Sequence, residues 1–412
     1  MSTYTITNLH KLAGNSYSSS RAHFISEGAN PLIVGDAASG PEENLHAVLW
    51  DRNKNRMIDL QGGSNWQWPD SANPSSLALS VNQNGDVAGS TVKPFDDPQG
   101  RGWYCAYDRN SGHASGMVVL PNPAGPSHVS YYASLGRGVS VDGGVIVGHL
   151  ESKIGWFNKL FTSHRAVWWG HQSGAEISDP TFLPTFGLPG SKATAINVNG
   201  IIVGRAGVDP MGVNFHACKW NPYFFESYPG GIKKIYGYTT PEELLPARHV
   251  TEVKAKRWRQ DAQSYAWAIS SSAITVGASG NDIDNSNDLY ACVWRAGSNI
   301  AELLFKNTLS IAYGVNKAGQ IVGLSWPNAQ TTPDGTDLGD PSNGDWVAFL
   351  YPDPSGGSEP VKLIDLLDVN DAKSKDWVYL SAARSVNDAG EIVGVGLNKD
   401  GKPSAFVMTP KP

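Results

Sequence analysis

One position of a repeated sequence motif carries a different type of side chain in each copy. The motif reads Ala-x-x-Val/Ile-Asn-x-x-Gly and runs on into Ile-Val-Gly, and its second position is not constrained by the repeat. In chain order that position holds His23, Leu79, Val139, Thr194, Trp267, Tyr313 and Arg384. Cationic, aromatic and apolar groups are mixed there, which is typical of side chains that line a pocket and not of a repeated core.

Arg384 is the residue of this set best suited to bind a ligand. A long cation in an apolar strand is costly to bury without a partner, and the guanidinium fork matches a carboxylate or a keto-enolate. We predict catalytic roles for Arg384, His23 and Tyr313, and substrate contacts for Trp267 and for Arg137, just before the third copy. The alternative that Trp267 and Tyr313 merely pack between neighbouring repeats stays open.

Large aromatic residues are frequent in the variable segments between the copies. We predict that five of them contact the substrate: Trp66, Trp156, Phe157, Trp346 and Trp377. Each could instead cover the hydrophobic core of its own repeat. We expect the variable segments and the pocket on one face of the molecule, and the short Asn-x-x-Gly turns on the other.

Motifs for cofactors and metals are absent from the sequence. It has no phosphate-binding glycine loop, no dinucleotide fingerprint, no zinc motif and no Gly-x-Ser-x-Gly. Residues 282–288 alternate oxygen ligands as a calcium loop does, but they lack the central glycine and the closing glutamate. We therefore predict no cofactor and no functional metal.

The same motif predicts the elements that position these residues. Strong copies span residues 78–89, 193–204, 312–323 and 383–394, and weaker copies span 22–35, 138–148 and 266–277. The closing glycines recur about every 60 residues, within the range of propeller-type repeats. Each copy reads as a hairpin, then a third strand closed by an aromatic residue. Fourth strands are predicted at 57–60, 117–120, 232–235, 300–303 and 361–366.

The two ends of the chain complement each other. The last repeat has no fourth strand of its own, and residues 4–8 supply a spare one at the N-terminus. Pairing of these segments would close a ring and leave no open edge, whereas an open β-solenoid would not need complementary ends. We predict an all-β fold, a seven-bladed β-propeller of four-stranded blades, as one domain over residues 1–412.

Composition and charge exclude several classes of protein. The 412 residues include 45 glycines and 26 prolines, with 40% hydrophobic and 17% charged residues, which argues against a mainly helical or disordered chain. A net charge of −6 gives no support for nucleic-acid binding, and no apolar run is long enough for membrane insertion. The three cysteines are interpreted as free and buried. Both a secreted protein without its signal peptide and a cytoplasmic protein stay open.

The repeat resembles a known family at the level of its motifs. The Ala-x-x-Val-Asn-x-x-Gly-x-Ile-Val-Gly core, followed by the His-Ala-Val-Leu-Trp run of residues 46–50, looks like the HAF-type extracellular repeat and covers essentially the whole chain. The chain is also similar to the β-propeller hetero-Diels–Alderases of fungal tropolone–sesquiterpene pathways. That resemblance implies a cofactor-free enzyme of secondary metabolism that holds a quinone methide against a polyene.

Three classes of function remain after these steps. We predict a cofactor-independent enzyme that binds a hydrophobic aromatic or polyene small molecule in an axial pocket, through positioning and electrostatics. A carbohydrate-binding propeller would show a similar site on each blade, and the dissimilar loops disfavour it. A polysaccharide lyase would use a tyrosine or histidine base and an arginine that neutralises a uronate, and all three residue types are present.

Overall fold

The structure, a computed structural model, is built from small antiparallel sheets. It describes residues 3–39, 44–61, 75–92, 100–123, 129–156, 159–171, 177–208, 214–227, 233–252, 257–260, 263–282, 288–305, 308–326, 346–352 and 359–411. Seven of the sheets form the blades of a β-propeller, each with a path of four neighbouring strands, and one of them carries an additional two-residue strand. The predicted all-β, seven-bladed fold is confirmed.

The blades are numbered in chain order, and each is given from its inner to its outer strand. Blade 1 comprises Ser19–Ile25, Leu32–Ser39, Asn44–Asp51 and Arg56–Asp59. Blade 2 comprises Ser75–Val81, Asp86–Val92, Gly102–Asp108 and Val118–Val119, with His113–Ala114 beside its third strand. Blade 3 comprises Val129–Val139, Val145–Trp156, Lys159–Gly170 and Thr181–Phe182. Blade 4 comprises Ser191–Ile196, Ile202–Gly207, Phe215–Trp220 and Glu242–Leu244.

The remaining blades follow the same order, and the last one contains both ends of the chain. Blade 5 comprises Gln263–Ile269, Thr275–Asp282, Asp288–Trp294 and Glu302–Leu303. Blade 6 comprises Leu309–Val315, Ile321–Trp326, Val347–Tyr351 and Val361–Lys362. Blade 7 comprises Trp377–Val386, Ile392–Asn398, Pro403–Pro410 and the N-terminal Tyr4–Asn8. Residues 4 to 8 pair antiparallel with residues 410 to 406, so the predicted closure is confirmed.

In the described part of the chain, the elements outside the blades are two hairpins and short 3₁₀ helices. The hairpins are Pro222–Ser227 with Lys233–Tyr238, and Arg248–Glu252 with Arg257–Gln260. The 3₁₀ helices are Leu9–Ser16, Leu363–Leu366 and Ala372–Asp376. The prediction of residues 232–235 as the fourth strand of blade 4 is wrong, because Lys233–Tyr238 belongs to the first hairpin and Glu242–Leu244 takes the outer position. No helix in the described ranges is long and apolar enough to cross a membrane.

The hydrophobic core lies between neighbouring blades. One cluster joins Val34 and Leu49 of blade 1 to Val87 and Trp103 of blade 2, and similar clusters follow around the ring. The predicted aromatic residue at the end of a third strand is fully buried in blade 1, where the Trp50 indole donates a hydrogen bond to the Leu9 carbonyl at 3.1 Å. Cys105, Cys218 and Cys292 are free and buried, as predicted.

The asparagine of the motif ties a blade to the next one at four of the seven junctions. The Asn197 side chain accepts hydrogen bonds from its own turn and donates one to the Ser270 carbonyl of blade 5 at 2.9 Å. Asn82, Asn316 and Asn387 make equivalent bonds, and the last of these reaches Ser26 of blade 1. In such a buried side-chain amide, both the oxygen and the nitrogen have hydrogen-bond partners, which makes the contact specific. The repeated asparagine therefore aligns these neighbouring blades, and it places no constraint on the residue at the second position of the motif.

Candidate functional site

A β-bulge occurs at the same place on the inner strand of every blade. In blade 1, Ala22 pairs with Gly35 and Phe24 pairs with Val34, which leaves His23 outside the ladder. A bulge re-aims the unpaired side chain, and here it places that side chain beside the central axis. The seven bulged residues, called the axial ring below, are His23, Leu79, Arg137, Thr194, Trp267, Tyr313 and Arg384.

The axial ring agrees with the free motif position in six blades and corrects it in the third. The sequence predicted Val139 for blade 3, from a copy beginning at Gly138. The strand register pairs Gly136 with Gly148, so the bulged residue is Arg137. The turn between the first two strands of blade 3 is one residue longer than the turn of blade 2. This extra residue made the third copy appear to begin at Gly138. Arg137, predicted as a substrate contact, is therefore a full member of the ring.

The axial ring borders a cavity of about 560 Å³. Its wall continues from the ring along each inner strand to the first residues of the short turns, for example from Thr194 to Val198 and from Tyr313 to Lys317. The sequence led us to expect the pocket on the face of the variable loops. Among the described residues, the cavity instead lies between the axial ring and the short-turn face.

An unbroken aromatic and cationic arc occupies one side of the ring. Trp267 and Tyr313 meet edge to face, with ring centroids 5.6 Å apart, and the Arg384 guanidinium lies 4.3 Å from the centroid of Tyr313. All three side chains are half-buried and line the cavity. Trp267 and Tyr313 also pack on the cluster between blades 5, 6 and 7. Trp267 and Tyr313 therefore both pack between blades and form part of the cavity wall, and their predicted substrate and catalytic roles stay predictions.

Arg384 has no ion pair within the described part of the chain. Its described contact is the face of Tyr313, which leaves the fork of N–H donors for another acceptor. Asp388 also lines the cavity, but its carboxylate accepts a hydrogen bond from the Lys317 backbone at 2.7 Å. The arc therefore presents a positive charge to a cavity whose opposite wall contains Arg137.

His23 continues the arc into blade 1 and rests on a buried carboxylate. Its Nε2 lies 2.5 Å from Asp36 Oδ1, and Arg21 Nε lies 3.0 Å from Asp36 Oδ2. Burial lowers the pKa of His23 by more than Asp36 raises it, and Arg384 lowers it further. Burial alone would raise the pKa of Asp36, but Arg21 and His23 bring it below its usual value. A neutral His23 that donates from Nε2 keeps Nδ1 as an acceptor.

The predicted aromatic contacts fall into two groups. Trp346 packs edge to face on Trp326 at 5.2 Å, and Trp377 packs on Phe406 at 5.9 Å. Both are buried in interblade clusters and neither lines the cavity described above. Trp66, Phe157 and the side chain of Trp156 lie outside the described residues, as does most of the 282–288 segment. Their predicted roles stay predictions.

The sequence analysis missed a second group of side chains, whose geometry could hold a metal ion. His149, Glu151 and His164 place their ligand atoms within 4.8 Å of one another. Burial lowers the pKa of His149 well below its usual range, and the charges of Lys192 and Arg137 lower it further. Alternation along one strand relates His149 to Glu151, but His164 joins them only through the register of the neighbouring strand. The sequence alone showed only the His-x-Glu spacing of His149 and Glu151.

Comparisons with known proteins give distant similarities to other β-propellers. No protein-family model and no curated protein matches the chain. A puromycin-hydrolysing peptidase from Mycobacterium tuberculosis matches with 12% identity and a TM-score of 0.46, covering 99% of this chain and 54% of the peptidase. The β-propeller domain of the trilobed protease from Pyrococcus furiosus matches with 8% identity and a TM-score of 0.43, covering 94% and 95%.

A further solved structure has comparable similarity. An oligogalacturonate lyase from Vibrio parahaemolyticus matches with 10% identity and a TM-score of 0.40, covering 98% of this chain and 93% of the lyase. This chain thus spans about half of the length of the peptidase and nearly all of the lyase. These similarities concern the fold alone.

Proposed function

We propose that this protein is an enzyme that binds a flat, conjugated small molecule in the axial cavity and polarises one of its oxygens with Arg384. The observation that carries this proposal is the position of Arg384, which lines the cavity, lies against Tyr313, and has no ion pair among the described residues. A half-buried guanidinium needs an acceptor to offset its lost hydration. A ligand oxygen in the cavity supplies that acceptor.

The size and lining of the cavity support a small hydrophobic ligand. A volume of about 560 Å³ lies in the usual range for small-molecule sites. Trp267 and Tyr313 offer aromatic surface on one side, and Leu79 with Val139 offers apolar surface elsewhere in the wall. The ring differs in every blade, which disfavours a lectin with one equivalent site per blade.

The reaction that we propose for this cavity is a hetero-Diels–Alder addition. An ortho-quinone methide supplies four atoms ending in oxygen, and an alkene of a polyene supplies two. One C–C and one C–O bond form while two π bonds are consumed, with no net transfer of a proton or an electron. Hydrogen bonds from Arg384 to the quinone methide oxygen would withdraw electron density and favour the addition. The aromatic arc would hold the two reactants in contact.

Substitution of Arg384 tests the binding part of the proposal. We expect Arg384→Ala to weaken binding of naphthoate, a planar aromatic carboxylate, by at least about tenfold, equivalent to about 1.4 kcal/mol. Calorimetry would measure this, and Arg384→Lys should restore only part of the affinity because it lacks the fork. Arg165 is a matched control, since its guanidinium stacks on Phe182 at 4.8 Å away from the cavity.

Four outcomes would contradict all or part of the proposal. Failure of the wild-type protein to bind naphthoate, or equal affinity in the Arg384→Ala variant, would rule out the binding site. Tighter binding of an acidic oligosaccharide than of naphthoate would favour a lyase. Cycloaddition is tested separately with a quinone methide generated in situ and a cyclic polyene, where enzymatic turnover should give one enantiomer in excess. A racemic product at the background rate would remove the hetero-Diels–Alder step and leave the binding site intact.

A further inference from the structure

His149, Glu151 and His164 lie on one face of blade 3. His149 and Glu151 are two residues apart on the second strand, so they point to the same side of the sheet, and His164 is the direct cross-strand partner of Glu151. The intervening Leu150 packs toward blade 2, which directs this triad toward blade 4. The three side chains therefore converge by the geometry of the sheet itself, on rigid strands and not on loops.

We propose that this triad binds a divalent transition-metal ion of the zinc class, at a site whose three ligands lie outside the lining of the axial cavity. Two imidazoles and one carboxylate form an established ligand set for Zn²⁺ that leaves a fourth position open. Bonds of about 2.0–2.1 Å in tetrahedral geometry place ligand atoms about 3.3 Å apart. His164 Nε2 lies 3.3 Å from Glu151 Oε1, and His149 Nε2 lies 3.9 Å from the same oxygen.

The state of His149 supports a metal more strongly than a hydrogen-bond network. Its side chain is 3% exposed, and Nδ1 has no hydrogen-bond partner among the described residues. Its Nε2 is too far from Glu151 for a hydrogen bond. Its described contacts therefore do little to offset its burial, and coordination through Nε2 would give that nitrogen the strong partner that Glu151 does not supply at this distance.

Ordinary histidine–carboxylate pairs elsewhere in the chain have a different geometry. His46 Nδ1 lies 2.7 Å from Asp59, and His216 Nδ1 lies 2.6 Å from Glu243. In both pairs the imidazole closes to hydrogen-bond distance on a single carboxylate. In the triad, one carboxylate oxygen faces two imidazole nitrogens and does not reach hydrogen-bond distance of His149.

Positively charged side chains around the triad indicate which type of ligand would occupy the fourth position of the metal. Lys192 and Arg137 are close enough to act electrostatically on both His149 and Glu151. Their charges disfavour binding of the metal ion alone, and they favour binding of the metal together with an anion at its open position. We therefore expect hydroxide or a ligand carboxylate there, and not a fourth protein ligand.

Metal titration of the full chain tests this site directly. After dialysis against a chelator, we expect wild-type protein to bind one equivalent of Zn²⁺, measured by competition with a chromophoric chelator. Co²⁺ in its place should show the visible absorption of a low-coordinate site. His164→Gln and Glu151→Gln should each weaken Zn²⁺ binding by at least about a hundredfold, since even losses outside the first ligands cost 10–100-fold.

A matched control separates this site from surface histidines. His216→Gln removes an imidazole from a two-member pair with Glu243 and should leave Zn²⁺ binding unchanged. Far-ultraviolet circular dichroism and the melting temperature of each metal-free variant confirm folding before titration. Substoichiometric Zn²⁺ in wild-type protein would overturn the proposal. So would equal Zn²⁺ affinity in wild-type protein and a folded Glu151→Gln variant.

Discussion

His23 and His46 both contact carboxylates, yet their pKa values move in opposite directions. The hydrogen bond to Asp59 raises the pKa of His46 above 6.5 by more than burial lowers it, so its stabilisation is complete below pH 6.5 and is lost as pH rises. Burial lowers the pKa of His23 below 6.5, so the unfolded chain takes up a proton first and stability is lost as pH falls. Each effect amounts to at most about 1.4 kcal/mol per pH unit.

We therefore expect two glutamine variants to change the pH profile of unfolding in opposite ways. His23→Gln should reduce the loss of stability as pH falls below 6.5, because it removes the group that must stay neutral. His46→Gln should lose stability chiefly below pH 6.5, where the charged imidazole holds Asp59. Urea unfolding across this range measures both, with the exposed His113→Gln as control. Parallel shifts of the two profiles would contradict the assigned directions.

Individual site residues were predictable where the repeat left a position free. His23, Trp267, Tyr313 and Arg384 stood out because every neighbouring position was fixed by a turn, an interblade hydrogen bond or a core contact. Val139 was chosen instead of Arg137 because a longer turn shifted the apparent start of the third copy. His164 could not be linked to Glu151, since cross-strand register is not readable from spacing within one strand.

The glycine that closes each hairpin is what permits the bulge on the inner strand. A Cβ on Gly277 would lie 1.8 Å from the Tyr265 carbonyl oxygen, a backbone atom that cannot move without breaking the ladder. We expect Gly277→Ala to lower the free energy of unfolding by about 3 kcal/mol or more. It should also displace Trp267, the ring residue of the same bulge. Denaturant unfolding measures the loss of stability, and a change in tryptophan fluorescence would report the displacement of Trp267.

Gly297 supplies the comparison for this substitution. It has a φ of +80°, and no described atom lies within 4 Å of the place that a Cβ would take, so only backbone strain opposes an alanine there. Gly297→Ala should therefore cost about 1 kcal/mol and leave the environment of Trp267 unchanged. Equal losses in the two variants would show that close approach is not the role of the closing glycine.

Strands were predictable from the sequence when a turn signal fixed both their ends. The inner, second and third strands follow the Asn-x-x-Gly turn and the aromatic residue, and the structure places them as predicted except on the inner strand of blade 3, where the predicted copy began at Gly138. The outer strands are only two to four residues long in blades 1 to 6 and carry little pattern. In blade 4 the apolar run near residue 233 matched a strand, but an extra hairpin used it and left Glu242–Leu244 for the edge.

At the scale of the whole molecule, the ring was predictable and the cavity was not. Repeat number and complementary ends determine a closed propeller, because unpaired edges at either end would be unfavourable. The face on which the cavity lies depends instead on where along the propeller axis the seven bulged side chains meet. The register of each hairpin sets that position, and it separates the axial ring from the short turns by the length of the cavity wall.

Closure by the N-terminal strand should dominate the stability of the ring. Deleting residues 1–9 removes Tyr4 and Ile6 from the core of blade 7 and Leu9 from beneath Trp50. Each buried side chain contributes roughly 1.5–3 kcal/mol, and about 1 kcal/mol corresponds to 2–4 °C even in chains of 150–250 residues. We expect the melting temperature to fall by about 10 °C or more. Deleting residues 1–2 alone, which precede the strand, should change it little. An unchanged melting temperature in the longer deletion would mean that the ring does not depend on this strand for closure.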